Sequence, residues 1–242
     1  MKPIHLLALF AFAATLTLAA CGGVPSATPV AQPTPDTSAP QRTPGSVGVV
    51  PTPLQTIEGA AEDIIDLAPS GNWDKINADV AAIASAWQAY LPQATQDGAD
   101  QKTIDTLSSA LEQLKIAIAN QDAAASMQSA NAISAAVVDL FEVYHPAVPA
   151  DIGRLDVYGR QIVLDVQAGN WEAARNSLRA EQEVFARLKQ SLSEHNGADI
   201  IHRYEASLEA QEAGLQSRDA TALINAAQDA LEIVDAMESL YH

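Results

Sequence analysis

Histidine is the side chain in this sequence with the most chemistry to offer, because imidazole ligates metals and changes charge near neutral pH. Four histidines lie beyond the first twenty residues: His145, His195, His202 and His242. His145 and His242 each follow a tyrosine at the end of a predicted helix, where an imidazole also interacts favourably with the helix dipole. His195 and His202 flank the start of another. Trp73 and Trp171 stand at the first turns of predicted helices, where an indole either closes the end of a core or offers a surface on which a ligand stacks. These six residues are the candidate ligand or metal contacts. The recognised catalytic spacings are missing: there is no His-Glu-x-x-His, no Cys-x-x-Cys, no haem attachment pair, no phosphate-cradling glycine loop and no Gly-x-Ser-x-Gly. The expectation is a protein that is not an enzyme, and the residues assign it no cofactor. Asp156 and Arg160, four apart, are expected to form an ordinary ion pair within one helix.

The elements that must position these residues come in two copies. Shifting the sequence by 98 residues lays Gly71-Asn72-Trp73 on Gly169-Asn170-Trp171, Ile64 on Ile162, Glu62 on Arg160, Val80 on Leu178 and Trp87 on Phe185. The register then slips by one, and at 97 residues Ile104 meets Ile201, Leu111 meets Leu208, Val137 meets Val234, and Tyr144-His145 meets Tyr241-His242. Such self-similarity must be found before any fold is assigned. The repeated triplet reads as a helix-to-helix turn. Glycine takes the left-handed conformation that ends one helix, asparagine caps the amide groups that begin the next, and the acid that follows, Asp74 or Glu172, suits the helix dipole.

Apolar residues at alternating steps of three and four predict helices over about Ile57–Leu67, Trp73–Tyr90, from Ile104 to Ile118, and from Asp122, a predicted N-cap, to Tyr144. Pro92 is expected to end the second of these. In the second copy the predicted helices are Ile152–Ala168, Trp171–Ser193, Ala198–Gln216 and Ala220–Tyr241, separated from the first copy by the proline-bearing stretch from His145 to Asp151. Short connections favour antiparallel neighbours. The predicted fold is therefore all-α, a tandem repeat of two antiparallel four-helix bundle modules: helical repeat 1 over 57–145 and helical repeat 2 over 146–242.

Residues 1–20 read as an export signal, with Lys2 followed by an apolar run from Ile4 to Ala20 that is short for a membrane span. The run ends in Leu18-Ala19-Ala20-Cys21, with Gly22-Gly23 after it, and Cys21 is the chain's single cysteine. This ending resembles the lipobox of bacterial lipoproteins. The resemblance covers about the first 21 residues and implies that Cys21 is acylated and becomes the mature N-terminus. It also implies that lipid holds the protein to a bacterial membrane, facing the periplasm or the cell surface, and that no thiol is left for a disulfide. Residues 21–56 form the lipidated N-terminus and a disordered linker, rich in proline, threonine, serine and alanine, expected to be extended and to act as a spacer.

The formal net charge of −17 is shared by both copies. Such a surface repels phosphate backbones, which excludes nucleic acid as an expected partner and leaves the N-terminal lipid as the membrane attachment. The expected function is that of a lipid-anchored, non-enzymatic envelope module that binds an envelope protein or small ligand, or serves a structural role. The second reading is a periplasmic or surface helical bundle that binds metal or haem between its helices.

Overall fold

The computed structural model describes residues 48–242. The expectations for the export signal, for Cys21 and for most of the proline-rich linker lie outside the described residues. Within them the chain forms eight α-helices: α1 (Thr52–Leu67), α2 (Trp73–Asp97), α3 (Gln101–Ala119), α4 (Ala123–Glu142), α5 (Ala150–Gln167), α6 (Trp171–Glu194), α7 (Ala198–Ser217) and α8 (Ala220–Glu238). The fold is all-α. Helices α1 to α4 close a ring in which each packs on the next and α4 returns to α1, and α5 to α8 repeat that arrangement. These are two antiparallel four-helix bundles.

The turns obey local chemistry and repeat in conformation even where residue types differ. Gly71 and its equivalent Gly169 have φ of 67° and 76°; Gly98 and its equivalent Asn196 have 105° and 62°; Gln121 and its equivalent Arg218 have 53° and 54°. The left-handed step that ends each helix is thus kept with or without glycine. Asp122 and Asp219 cap α4 and α8 alike, each carboxylate accepting from the amide three residues on at 3.0 Å. Asn72 caps α2 by accepting from the Lys75 amide at 3.4 Å. Its equivalent Asn170 stands at the N-cap of α6 but makes no side-chain cap bond, so the second turn keeps the geometry without the expected bond. The one-residue slip between copies falls in the loop after the second helix, where Gly98-Ala99-Asp100 is answered by Asn196-Gly197.

Two predicted boundaries move furthest. Helix α2 runs through Pro92 to Asp97 and stops at Gly98. Pro92 is exposed, so the Gln88 carbonyl that loses its helical donor can turn to water, while buried Tyr90 and Ala94 on either side hold the helix to the core. Helix α1 starts at Thr52, inside the stretch expected to be linker. Proline is tolerated in the first turn, where its missing N–H has no partner to lose, and fully buried Leu54 and Ile57 draw this turn into the bundle.

The first bundle has one continuous apolar core, including Ile57, Ile76, Ile83, Trp87, Leu107, Leu114 and Ile133. The core of the second bundle is split in two. Ile152, Phe185, Leu188 and Val234 belong to one cluster, and Ile162, Leu178, Leu215 and Leu223 to the other. Between them sits a polar layer: Glu181, wholly buried, accepts from the Tyr204 hydroxyl at 2.6 Å and from Gln211 Nε2 at 3.2 Å. The equivalents of these three in the first bundle are Ile83, Leu107 and Leu114, all buried and apolar. The bundles meet along α4 and α5. There Asn131 donates to the Val157 carbonyl at 3.1 Å and to Gln161 Oε1 at 3.0 Å, and a Cβ at Gly153 would stand 3.0 Å from Val138 Cγ2.

Candidate functional site

Helix α1 presents Glu58 and Glu62 one turn apart, and α5 presents Asp156 and Arg160 at the equivalent positions, 98 residues on. Helix α8 presents Asp235 and Glu238, and the equivalent positions on α4, 97 residues before, hold Val138 and Phe141. All of these except Arg160, drawn from both copies, line one cleft of about 440 Å³. Its remaining walls come from the segment at Val49 and Val50 and from the inter-repeat connection at Pro146 and Pro149. Helix α4 packs along α5, but among the described residues no comparable packing joins their equivalents, α8 and α1. The cleft occupies the space left by that asymmetry, and its acids lie on α1, α5 and α8.

A single cation stands among these carboxylates. Arg160 Nη2 is 2.5 Å from Glu62 Oε1, across the two repeats, and 3.5 Å from Asp156 Oδ2 on its own helix. The intrahelical pair read from the sequence therefore exists, but the shorter contact ties one copy to the other. Arg160 Nη1 is buried without a hydrogen-bond partner, and so is Glu58 Oε2. Removal from water disfavours the charged form of a carboxyl group, and neighbouring acids add to the effect. Burial, and after it Glu62, raises Glu58 to about 8 against the pull of Arg160. Asp156 is raised to about 7 by burial, again opposed by Arg160. Glu238 is raised by burial and by Glu62. Burial works to lower Arg160, but Asp156, Glu62 and Glu58 outweigh it and hold the guanidinium above its ordinary value. The arrangement is an apolar-walled cleft lined by five acids, two of them paired with Arg160 outside the lining, and with one carboxyl oxygen sealed in and unsatisfied.

The chain matches no family model, no curated protein and no solved structure.

The structure does not gather the four histidines. His145 is exposed after α4, in the left-handed region at φ 47°, outside the lining of the cleft. His195 caps α6, with Nδ1 2.9 Å from the Ser191 carbonyl oxygen and its ring 4.3 Å from that of Tyr241. His202 is 81% exposed on α7, with Nδ1 3.6 Å from Glu205 Oε2, and His242 is the exposed last residue. Among the described residues no group of three or more His, Cys, Asp or Glu side chains is placed to hold a metal ion. Trp73 and Trp171 are half-buried, each packed against the core of its own bundle, as lids on core ends.

Sequence reasoning passed over Glu58, Asp235 and Glu238. A faint signal existed, since the repeat alignment lays Glu58 on Asp156, but acids on exposed helix faces are too common for that to stand out. Glu181 left a clearer one. It interrupts an apolar stripe at the position where the other copy has Ile83.

Proposed function

We propose that this is an exported, non-enzymatic binding protein, anchored to a bacterial membrane by lipid on Cys21, and that its ligand enters the cleft between the two bundles. The cleft carries this reading: it is built from equivalent positions of both copies, and its volume of about 440 Å³ falls in the range of small-molecule sites, roughly 300 to 1,000 Å³. Repeat interfaces are natural ligand sites because each copy supplies one wall. The N-terminal residues support the envelope reading, and the proline-rich stretch serves as its spacer. Metal or haem binding is the weaker alternative, since the histidines that suggested it stand apart.

Thermal unfolding of the purified full chain, measured against panels of small organic cations, anions and neutral compounds, tests the cleft. At least one class should raise the melting temperature, and Ala147→Trp, which adds bulk at an exposed position of the cleft lining, should remove the shift. If no class stabilises the protein, the cleft is not a binding site. The anchor has its own test: Cys21→Ser should release the protein from the membrane fraction or block its processing. A normally cleaved Cys21→Ser protein that stays tightly bound to membranes would exclude the lipid.

A further inference from the structure

We propose that the cleft takes an organic monocation carried on an apolar body, and that its binding expels the proton held by Glu58. The inference rests on the cleft being the binding site and deepens that reading.

Glu58 is the residue that points to the ligand. It is largely buried, it lines the cleft, its Oε2 is closed to solvent, and no donor in the protein reaches that oxygen. A carboxylate left this way is a buried charge without a partner, which a protein avoids by keeping the group protonated. The groups around it explain why Arg160 does not serve as the partner. On its own helix Glu58 faces Glu62; from α5 it faces Asp156 and Arg160; from α8 it faces Glu238. Asp235 on α8 acts on Asp156, and His242 acts on Glu238. Helix α4 supplies the apolar Val138 and Phe141. Arg160 is engaged by Glu62 and Asp156, so Glu58 has acids for neighbours and one guanidinium already shared.

The surroundings select the kind of cation. A hard divalent ion needs about six to eight oxygen ligands converging on one point, and the described residues hold no such group. An ammonium or amidinium head needs one or two carboxylates and uses the rest of the cleft to bury its apolar body against Val49, Val50, Phe141 and Pro146. An anion would meet five acids in a lining that holds no lysine or arginine. When the cation arrives, the O–H bond of Glu58 breaks, the electron pair stays on the carboxylate, the proton leaves to solvent, and the cation in the cleft supplies a counter-charge to the carboxylate without contacting the sealed Oε2. With Glu58 raised to about 8, it holds this proton throughout the neutral range.

Isothermal titration of the full chain with benzyltrimethylammonium, whose charge does not depend on pH, tests the exchange. From pH 6 toward pH 8 the affinity should rise by about tenfold per pH unit, as release of one proton requires, and then level off. Titrations at pH 7 in two buffers of different ionisation enthalpy should show about one proton or slightly more released per ligand. Glu58→Gln should remove most of the pH dependence and of the proton release, leaving the smaller part that Asp156 and Glu238 contribute from the same cleft. The two-buffer measurement needs only the unaltered protein, so the inference stays testable even if the variant folds poorly. Cation binding that is independent of pH, or tighter binding of calcium ion than of the ammonium, overturns the inference. Binding of benzoate or benzyl alcohol in preference to the cation, blocked by Ala147→Trp, overturns it while leaving the cleft as the site. Absence of binding by all four probes overturns both.

Discussion

Truncating Trp87 to alanine should destabilise the protein by about 3 to 5 kcal/mol, the usual cost of emptying a core aromatic position, and Phe185→Ala should do the same in the other copy. Trp87 is 5% exposed and Phe185 2%, at equivalent places in their bundles. Trp87 also donates from Nε1 to Ser108 Oγ at 3.1 Å, and Phe185 packs on the Tyr204 ring at 4.6 Å. The damage should stay chiefly in the bundle that carries the lesion, because the apolar clusters of the two bundles are separate and the seam between them mixes polar groups such as Asn131 and Gln161 with Val138. Hydrogen exchange reads this directly: in Trp87→Ala the amides of α1 to α4 should lose protection first, and in Phe185→Ala those of α5 to α8. Equal loosening of both halves by both substitutions would mean that the eight helices share one cooperative core.

The second large effect belongs to Glu181. Burial raises its carboxyl group to about 7, against the opposing hydrogen bonds from Tyr204 and Gln211. Because the folded state holds this proton more tightly than the unfolded chain, the stabilisation is complete below about pH 4.5, the ordinary glutamate value, and is lost as pH rises through about 7. A rise from 4.5 to about 7 corresponds to on the order of 3 kcal/mol. Glu181 Oε2 and Gln211 Oε1 are both buried without hydrogen-bond partners, and a proton on Glu181 would give this layer a donor that the ionised carboxylate lacks. Glu181→Gln replaces the titrating group with an amide of the same shape. Urea unfolding at pH 5 and pH 8 should therefore show a smaller drop in stability for the variant than for the unaltered protein. The drop will not vanish, since Glu58 and Asp156 are raised too and act in the same direction. An unchanged drop would show that Glu181 is ionised in the folded state, and the layer would then need another source of donors.

Much of this architecture was determined by the sequence itself. The repeat, the eight helices, the caps at Asp122 and Asp219 and the turns at Gly71 and Gly169 follow from interactions between residues close in the chain. Such interactions depend on residue type and spacing, which a sequence displays. The limits of that local logic show at Pro92 and Thr52, where burial of Tyr90, Ala94, Leu54 and Ile57 overrides a rule about proline. The cleft was decided by tertiary structure alone. Glu62 and Arg160 stand opposite each other when the copies are aligned, but alignment says only that the positions are equivalent. Equivalent positions touch when two copies pack face to face around them, and that depends on which helices the bundles place against each other. Here α4 closes on α5 while α8 and α1 stay apart, which brings Arg160 to 2.5 Å from Glu62 and buries Glu58 among acids from three helices.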